Sequence, residues 1–176
     1  MNLPDNPFLQ LTAPRVAHAL QVLKARFWED PQPVEVSYSR ARPAHTPFAE
    51  ARRLDYAPVT LPFCWGRLFE TGWFHLRFPA ETPGRARTLQ WIDQGEGTLF
   101  LDETPYYGFD VAHRFVELPA GVQEGWIEGL CLQSAIWHPE AGGTTPQGSQ
   151  LSTARIVHRN DAAWKAYHML EVYYDL

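Results

Sequence analysis

Apolar positions along the chain follow two different periods, with the change near residue 59. Before it, Val16, Leu20, Leu23 and Phe27 recur at helical spacing, while Arg15, Gln21, Lys24 and Arg26 fall off that stripe. Thr12-Ala13-Pro14 supplies a helix start, with Thr12 or Ala13 at the cap and Pro14 in the first turn, and Asp30-Pro31 supplies the end. Residues 31–62 are rich in Pro and Arg. Within them Val34, Val36 and Tyr38 alternate for one short strand, and Phe48 to Leu54 has room for one or two helical turns. This stretch has too little apolar content to bury a core alone, so it reads as a long strap lying across a sheet.

From Val59 onward the period is two. Phe74, Leu76 and Phe78 point one way and Trp73, His75 and Arg77 the other. The stretch from Leu89 to Pro119, around which the rest is organised, predicts an antiparallel meander of three short strands with turns between them. Leu89, Trp91 and Asp93 alternate with Gln90 and Ile92, and the run Gln94-Gly95-Glu96-Gly97 breaks the strand. Leu99 and Leu101 lead to an acidic turn at Asp102-Glu103, after which Thr104 to Tyr107 can pair back. Gly108 to Ala112 turns again, and Phe115 and Glu117 then alternate with Arg114, Val116 and Leu118. Trp126 to Leu132 is apolar on both faces, which predicts a central, covered strand. His138 to Gln150 reads as a surface loop, and Leu151 to His158 as the last strand.

Asn160 caps a closing helix that carries Trp164, Tyr167, Leu170 and Tyr174 and meets no stop signal, so the chain is expected to continue past Leu176. These patterns predict a mainly β protein: an antiparallel two-sheet β-sandwich, a jelly roll of the galactose-binding-domain-like kind, with an N-terminal and a C-terminal helix. Residues 1–58 form the N-terminal helix and the strap packed on the sandwich. Residues 59–158 form the sandwich, and 159–176 the C-terminal helix, leading towards a further domain; the whole is one structural domain.

A chain of 176 residues with 45% apolar content folds as one domain of ordinary size. Aromatics make up 14%, with seven Trp, and such residues either fill sandwich cores or line carbohydrate clefts. A net charge of −5 argues against a nucleic-acid partner. No apolar run approaches the ~20 residues that span a bilayer, which argues against a membrane. The segment Met1 to Gln10 lacks the charged region and apolar core of a signal peptide. Two cysteines exclude a disulfide scaffold, and a cytoplasmic location is expected.

Candidate chemistry is thin. Asp93, Glu96, Asp102, Glu103 and Asp110 lie near turns, where acids ordinarily satisfy local backbone donors. Spacing alone does not make two of them the facing pair that glycoside hydrolysis needs, so no catalytic residue is assigned. His75 and His113 with a nearby carboxylate would suit a small jelly-roll metalloenzyme, but such enzymes carry His-x-His on a strand, and this chain has none. No metal site is assigned. Cys64 and Cys131 read as small buried apolar groups. Trp65, Trp73, Trp91, Tyr106, Tyr107 and Trp137 offer flat faces to a sugar ring or fill the core. Of the adjacent pair Tyr106 and Tyr107, one is expected to be exposed.

Taken together, several segments in order resemble the N-terminal domain of the cytosolic and vacuolar type of α-mannosidase, in glycoside hydrolase family 38. They are Pro47-Phe48-Ala49-Glu50-Ala51 with Tyr56-Ala57-Pro58-Val59, then Cys64-Trp65-Gly66 and Thr71-Gly72-Trp73-Phe74, then Gln94-Gly95-Glu96-Gly97. Asp102-Glu103-Thr104-Pro105, Gly108-Phe109-Asp110 with His113-Arg114, and Arg159-Asn160-Asp161-Ala162-Ala163-Trp164 follow. The sequence departs from the family pattern at Arg67, usually Pro, and Glu103, usually Gly.

The resemblance implies a non-catalytic β-sandwich domain of an α-mannosidase-like hydrolase, acting in carbohydrate metabolism. Its partner would be a zinc-dependent, retaining catalytic domain, in the same or a separate chain, whose zinc ligands include a His-x-Asp pair. None of the seven His here is followed two residues later by Asp, so no zinc or other cofactor is expected in this chain. Any contact with an α-mannoside is expected from Asp110, His113 and Arg114, with Trp65 and Tyr107 as stacking surfaces. The alternative is a stand-alone carbohydrate-binding module. The apolar closing helix also suits homo-oligomer contacts.

Overall fold

The computed structural model describes residues 7–132 and 148–174. These fall into two units, residues 31–157 and a pairing of the two chain ends up to Asp30 and from His158. No helix among the described residues is long and apolar enough to cross a membrane.

In the larger unit, strands with one apolar face bury it against a second sheet. The first sheet is built from β1 (Trp28–Pro33), β11 (Ser149–Arg159), β6 (Arg87–Asp93) and β9 (Phe115–Leu118) in that order, with β4 (Phe63–Trp65) also pairing β11. The second runs β3 (Ala57–Pro58), β2 (Glu35–Arg42), β5 (Thr71–Arg77), β10 (Glu124–Leu130), β7 (Glu96–Leu101) and β8 (Thr104–Phe109). Leu89 and Trp91 of the first sheet meet Phe74, Leu76, Leu99 and Ile127 of the second in a core where none of them is more than 2% exposed. This is the two-sheet antiparallel sandwich expected from the alternation.

The stretch from Leu89 to Pro119 is not a meander within one sheet. β6 and β9 are neighbours in the first sheet, from Arg87↔Leu118 to Gln90↔Phe115, while β7 and β8 form a hairpin in the second. Alternation tells which side of a strand is apolar, not which sheet the strand joins. Such crossing between sheets is how a jelly roll winds.

The short strand expected around Val34, Val36 and Tyr38 is β2, which pairs β5 from Glu35↔Arg77 to Ser39↔Trp73. What covers the outer face of the second sheet is α2 (Phe48–Ala51) and its flanks. Ala51, fully buried, packs with Trp73 and Trp126, and the Phe48 ring stacks on Phe100 at 5.0 Å. β10 is central and covered on both faces, as its sequence predicts: Trp126 joins this outer cluster and Ile127 the core.

In the smaller unit, α1 (Pro7–Lys24) starts before Thr12 and holds Pro14 in its interior. Proline favours a first turn but tolerates a later one at the loss of one backbone hydrogen bond, so it did not mark the start. The helix also ends at Lys24, well before Asp30-Pro31, which lies in β1. Phe27 is therefore not on a helical stripe; it is buried against Trp164 and Tyr167 of α3 (Asp161–Tyr174), with ring centroids 4.8 and 5.0 Å away. Asn160 caps α3 as expected, its Oδ1 accepting from the Ala163 amide at 3.0 Å.

Candidate functional site

On the outer face of the second sheet, side chains stand in rows set by strand register. One row runs Trp73, Glu128, Thr98, Gly108 across β5, β10, β7 and β8; the next runs Thr71, Leu130, Glu96. A third row, His75, Trp126 and Phe100, lies on the side that the strap covers. Beyond the strap the polar rows stay open and form a groove of about 470 Å³ lined by Thr71, Glu96, Thr98, Gly108, Asp110 and Glu128. Nothing lies within 4 Å of where a Cβ on Gly108 would stand, so the missing side chain keeps that end open.

Asp110 enters this groove from a tight turn after β8. Its Oδ1 accepts the amides of Ala112 and His113, each at 2.7 Å, and its Oδ2 lies 2.9 Å from His113 Nδ1. Burial pushes the carboxyl upward, but these bonds and the His113 charge outweigh it and hold the pKa below the usual carboxylate range. His113 is exposed, and its ring braces Asp110. On the far wall Glu128 is paired with His45, Oε1 to Nδ1, at 2.6 Å. Thr71 donates its hydroxyl to the Ala44 carbonyl at 3.3 Å.

Of the five residues expected to contact sugar, only Asp110 lines this groove. Trp65 is a correction: it is 3% exposed, and its Nε1 donates to Asp93 at 3.1 Å, so neither ring face is open to a ligand. Tyr107 is half-buried, packs on the core and meets Phe109 edge-on at 5.1 Å. Burial first, then the Asp110 charge, pushes its hydroxyl upward. The exposed member of the pair is Tyr106, left over by a bulge at which Leu99 faces Tyr107 and Phe100 faces Pro105. Its hydroxyl donates to the Glu117 carbonyl of β9 at 2.8 Å. The Arg114 carbonyl accepts from the Trp91 amide at 3.0 Å, and its Nε is buried without a hydrogen-bond partner among the described residues.

The other candidates are dispersed. His75 pairs with Glu124 at 2.9 Å and stacks on Trp126, whereas His113 serves Asp110. Among the described residues no three His, Cys, Asp or Glu come together in a way that could hold a metal. Trp73 and Trp91 are each 2% exposed, and Trp137 lies outside the described residues. Cys131 is buried as expected, but Cys64 is exposed, because it sits on the outward side of β4. Asp102 takes φ +56° in the β7–β8 turn, and Glu103 pairs with Arg52 at 3.3 Å.

Asp93 is buried with Ser149 Oγ and the Gln94 amide each donating at 2.9 Å, besides Trp65. Burial pushes its pKa up, against those bonds. Gly95 is a packing necessity, since a Cβ there would stand 2.5 Å from the Leu130 carbonyl.

Sequence reasoning missed Thr71, Thr98, Glu128 and His45. The signal was present for three of them: polar residues at outward positions of strands whose other face is apolar. His45 carries no such signal, as only the folded strap brings it to Glu128. Chemically the groove gathers carboxylates that accept and threonine hydroxyls that both donate and accept, a set suited to a hydroxyl-rich ligand. No protein-family model and no curated protein matches this chain.

Proposed function

We propose that the chain is the non-catalytic N-terminal β-sandwich domain of an α-mannosidase-like glycoside hydrolase of family 38. The observation that carries this reading is where its motif residues fall. Trp65 braces Asp93, Trp73 fills the outer cluster, Gly95 presses on the Leu130 carbonyl, and Asp110 with His113 closes the turn after β8. Residues in the family-like order thus build the sandwich rather than a reaction centre, which suits a domain that supports a catalytic neighbour.

Zinc would belong to that neighbour, and no step of its chemistry is placed on residues of this chain. A cytoplasmic setting is part of the proposal, in keeping with Cys64 and Cys131 not being joined by a disulfide. The test is to sequence the transcript past codon 176 and to assay the purified chain for association with a family 38 catalytic domain. A frame running on into a segment with His-x-Asp, or stoichiometric association, is expected. A stop codon after Leu176 together with no association would overturn the reading. The open polar groove favours a second reading, a stand-alone carbohydrate-binding module.

A further inference from the structure

We infer that the groove beside the strap binds one neutral pyranose ring and rejects sugars that carry phosphate or carboxylate. The inference rests on the carbohydrate-binding reading and gives it a site and a selectivity.

The geometry supplies the outline. A space of about 470 Å³ falls in the range of small-ligand sites, roughly 300–1,000 Å³. Its floor is rigid, being made of paired strands rather than loops, since Thr71, Leu130 and Glu96 stand side by side on β5, β10 and β7. The chemistry supplies the ligand class. Hydroxyl groups donating to carboxylates make charge-assisted hydrogen bonds, and such bonds are stronger than those between neutral groups. Glu96 makes no side-chain hydrogen bond or ion pair among the described residues and so has both oxygens to offer. Glu128 has Oε1 on His45, which leaves Oε2 for a ligand. Thr98, between them in the rows, can give or take a proton to suit a sugar hydroxyl. Half-buried Leu130 offers a small apolar surface to ring C–H groups.

The sign of charge supplies the selectivity. Glu96, Asp110 and Glu128 are all acidic, and the two imidazoles present, His45 and His113, are spent on Glu128 and Asp110. An anionic sugar would meet uncompensated repulsion there, as like charges brought together at a desolvated surface do.

The experiment is an NMR titration of the full chain with methyl α-mannopyranoside, methyl α-glucopyranoside and mannose 6-phosphate. At least one neutral pyranoside is expected to shift the amides of Thr98, Gly108 and Asp110 with millimolar affinity, and the phosphate to bind at least about ten-fold more weakly. Gly108→Val places its side chain in the open end, with no atom within 4 Å of the Cβ. It is expected to weaken binding by at least about ten-fold. Thr98→Val, near-isosteric, removes one hydroxyl and serves if the first variant misfolds. Neutral sugars bound equally by wild type and both variants would overturn the groove and leave the carbohydrate-binding reading standing. No shift with any saccharide at tens of millimolar would overturn both, and equal or tighter binding of the phosphate would overturn the selectivity.

Discussion

Asp93→Ala tests the end of the sandwich where three strands meet. The carboxylate is 7% exposed and joins β6 to Trp65 of β4 and Ser149 of β11. When it is removed, the Ser149 hydroxyl can turn to another acceptor, but the Trp65 indole and the Gln94 amide are fixed in direction. Two stranded donors cost about 1–3 kcal/mol each, and release of a desolvated charge returns part of that, so the net loss is about 2–4 kcal/mol. In a chain of this size that lowers the thermal midpoint by about 5–15 °C.

The pH dependence separates the carboxylate from its shape. Because burial raises the Asp93 pKa, the native state holds the proton more tightly than the unfolded chain. Stability from this group is then fully present below the unfolded value of about 3.9 and falls as pH rises through the native value. Asp93→Asn cannot titrate and lacks that descent, so the advantage of wild type over Asn is largest in acid and shrinks towards neutrality. Urea unfolding followed by tryptophan fluorescence across pH measures both effects. An Ala variant within about 0.5 kcal/mol of wild type, or parallel pH curves for wild type and Asn, would refute the reasoning.

Gly95→Ala puts a Cβ 2.5 Å from the Leu130 carbonyl, and since backbone must shift the cost is about 1–3 kcal/mol, read from the urea midpoint. An unchanged midpoint would mean that the turn relaxes freely. Leu76→Ala opens a cavity at a site with no exposure, a loss of about 2–5 kcal/mol by the same assay; a smaller loss would show that the sheets close over the gap. His113→Ala removes the ring and charge that help hold Asp110 low. The Asp110 pKa, followed by carbon-detected NMR, should rise. A depressed carboxyl stabilises the fold above its unfolded value, and that contribution is lost as pH falls through the native value, so the variant should be less stable at neutral pH and lose less in acid. No change in the Asp110 titration would assign the low value to the backbone amides alone.

Faces were legible in the sequence, and neighbours were not. The alternation around Phe74 and Leu76, and the double-sided apolarity of Trp126 and Ile127, follow from the local pleat and survive folding intact. That β6 should pair with β9 across an intervening hairpin depends on which sheet has room, which no window of residues records. Trp65 illustrates the same limit, since a tryptophan on a short strand looks alike whether its indole meets a sugar or Asp93. Arg87 is the sharpest case. A charged residue at a strand start reads as exposed, yet it is 4% exposed and its guanidinium reaches the carbonyls of Pro79, Pro119 and Val122 and the Glu81 carboxylate. Those acceptors come from segments up to 35 residues away. In the groove, Asp110 was legible because its partners lie within three residues. The outward polar position of Glu128 was legible too, but its pairing with His45, 83 residues distant, was not.

The Tyr106 hydroxyl on the Glu117 carbonyl has a consequence for crowding. β8 ends one sheet and β9 ends the other, and the tyrosine ties these two borders together at 2.8 Å. A free border is a template on which another molecule can zip up, strand upon strand. Here one carbonyl of β9 is already engaged, Pro105 removes a donor from β8, and the bulge twists that strand out of register. Concentrated solutions of the protein should therefore resist fibrous growth from this flank, and Tyr106→Phe, which unties the seam without changing its bulk, is the change that would release it.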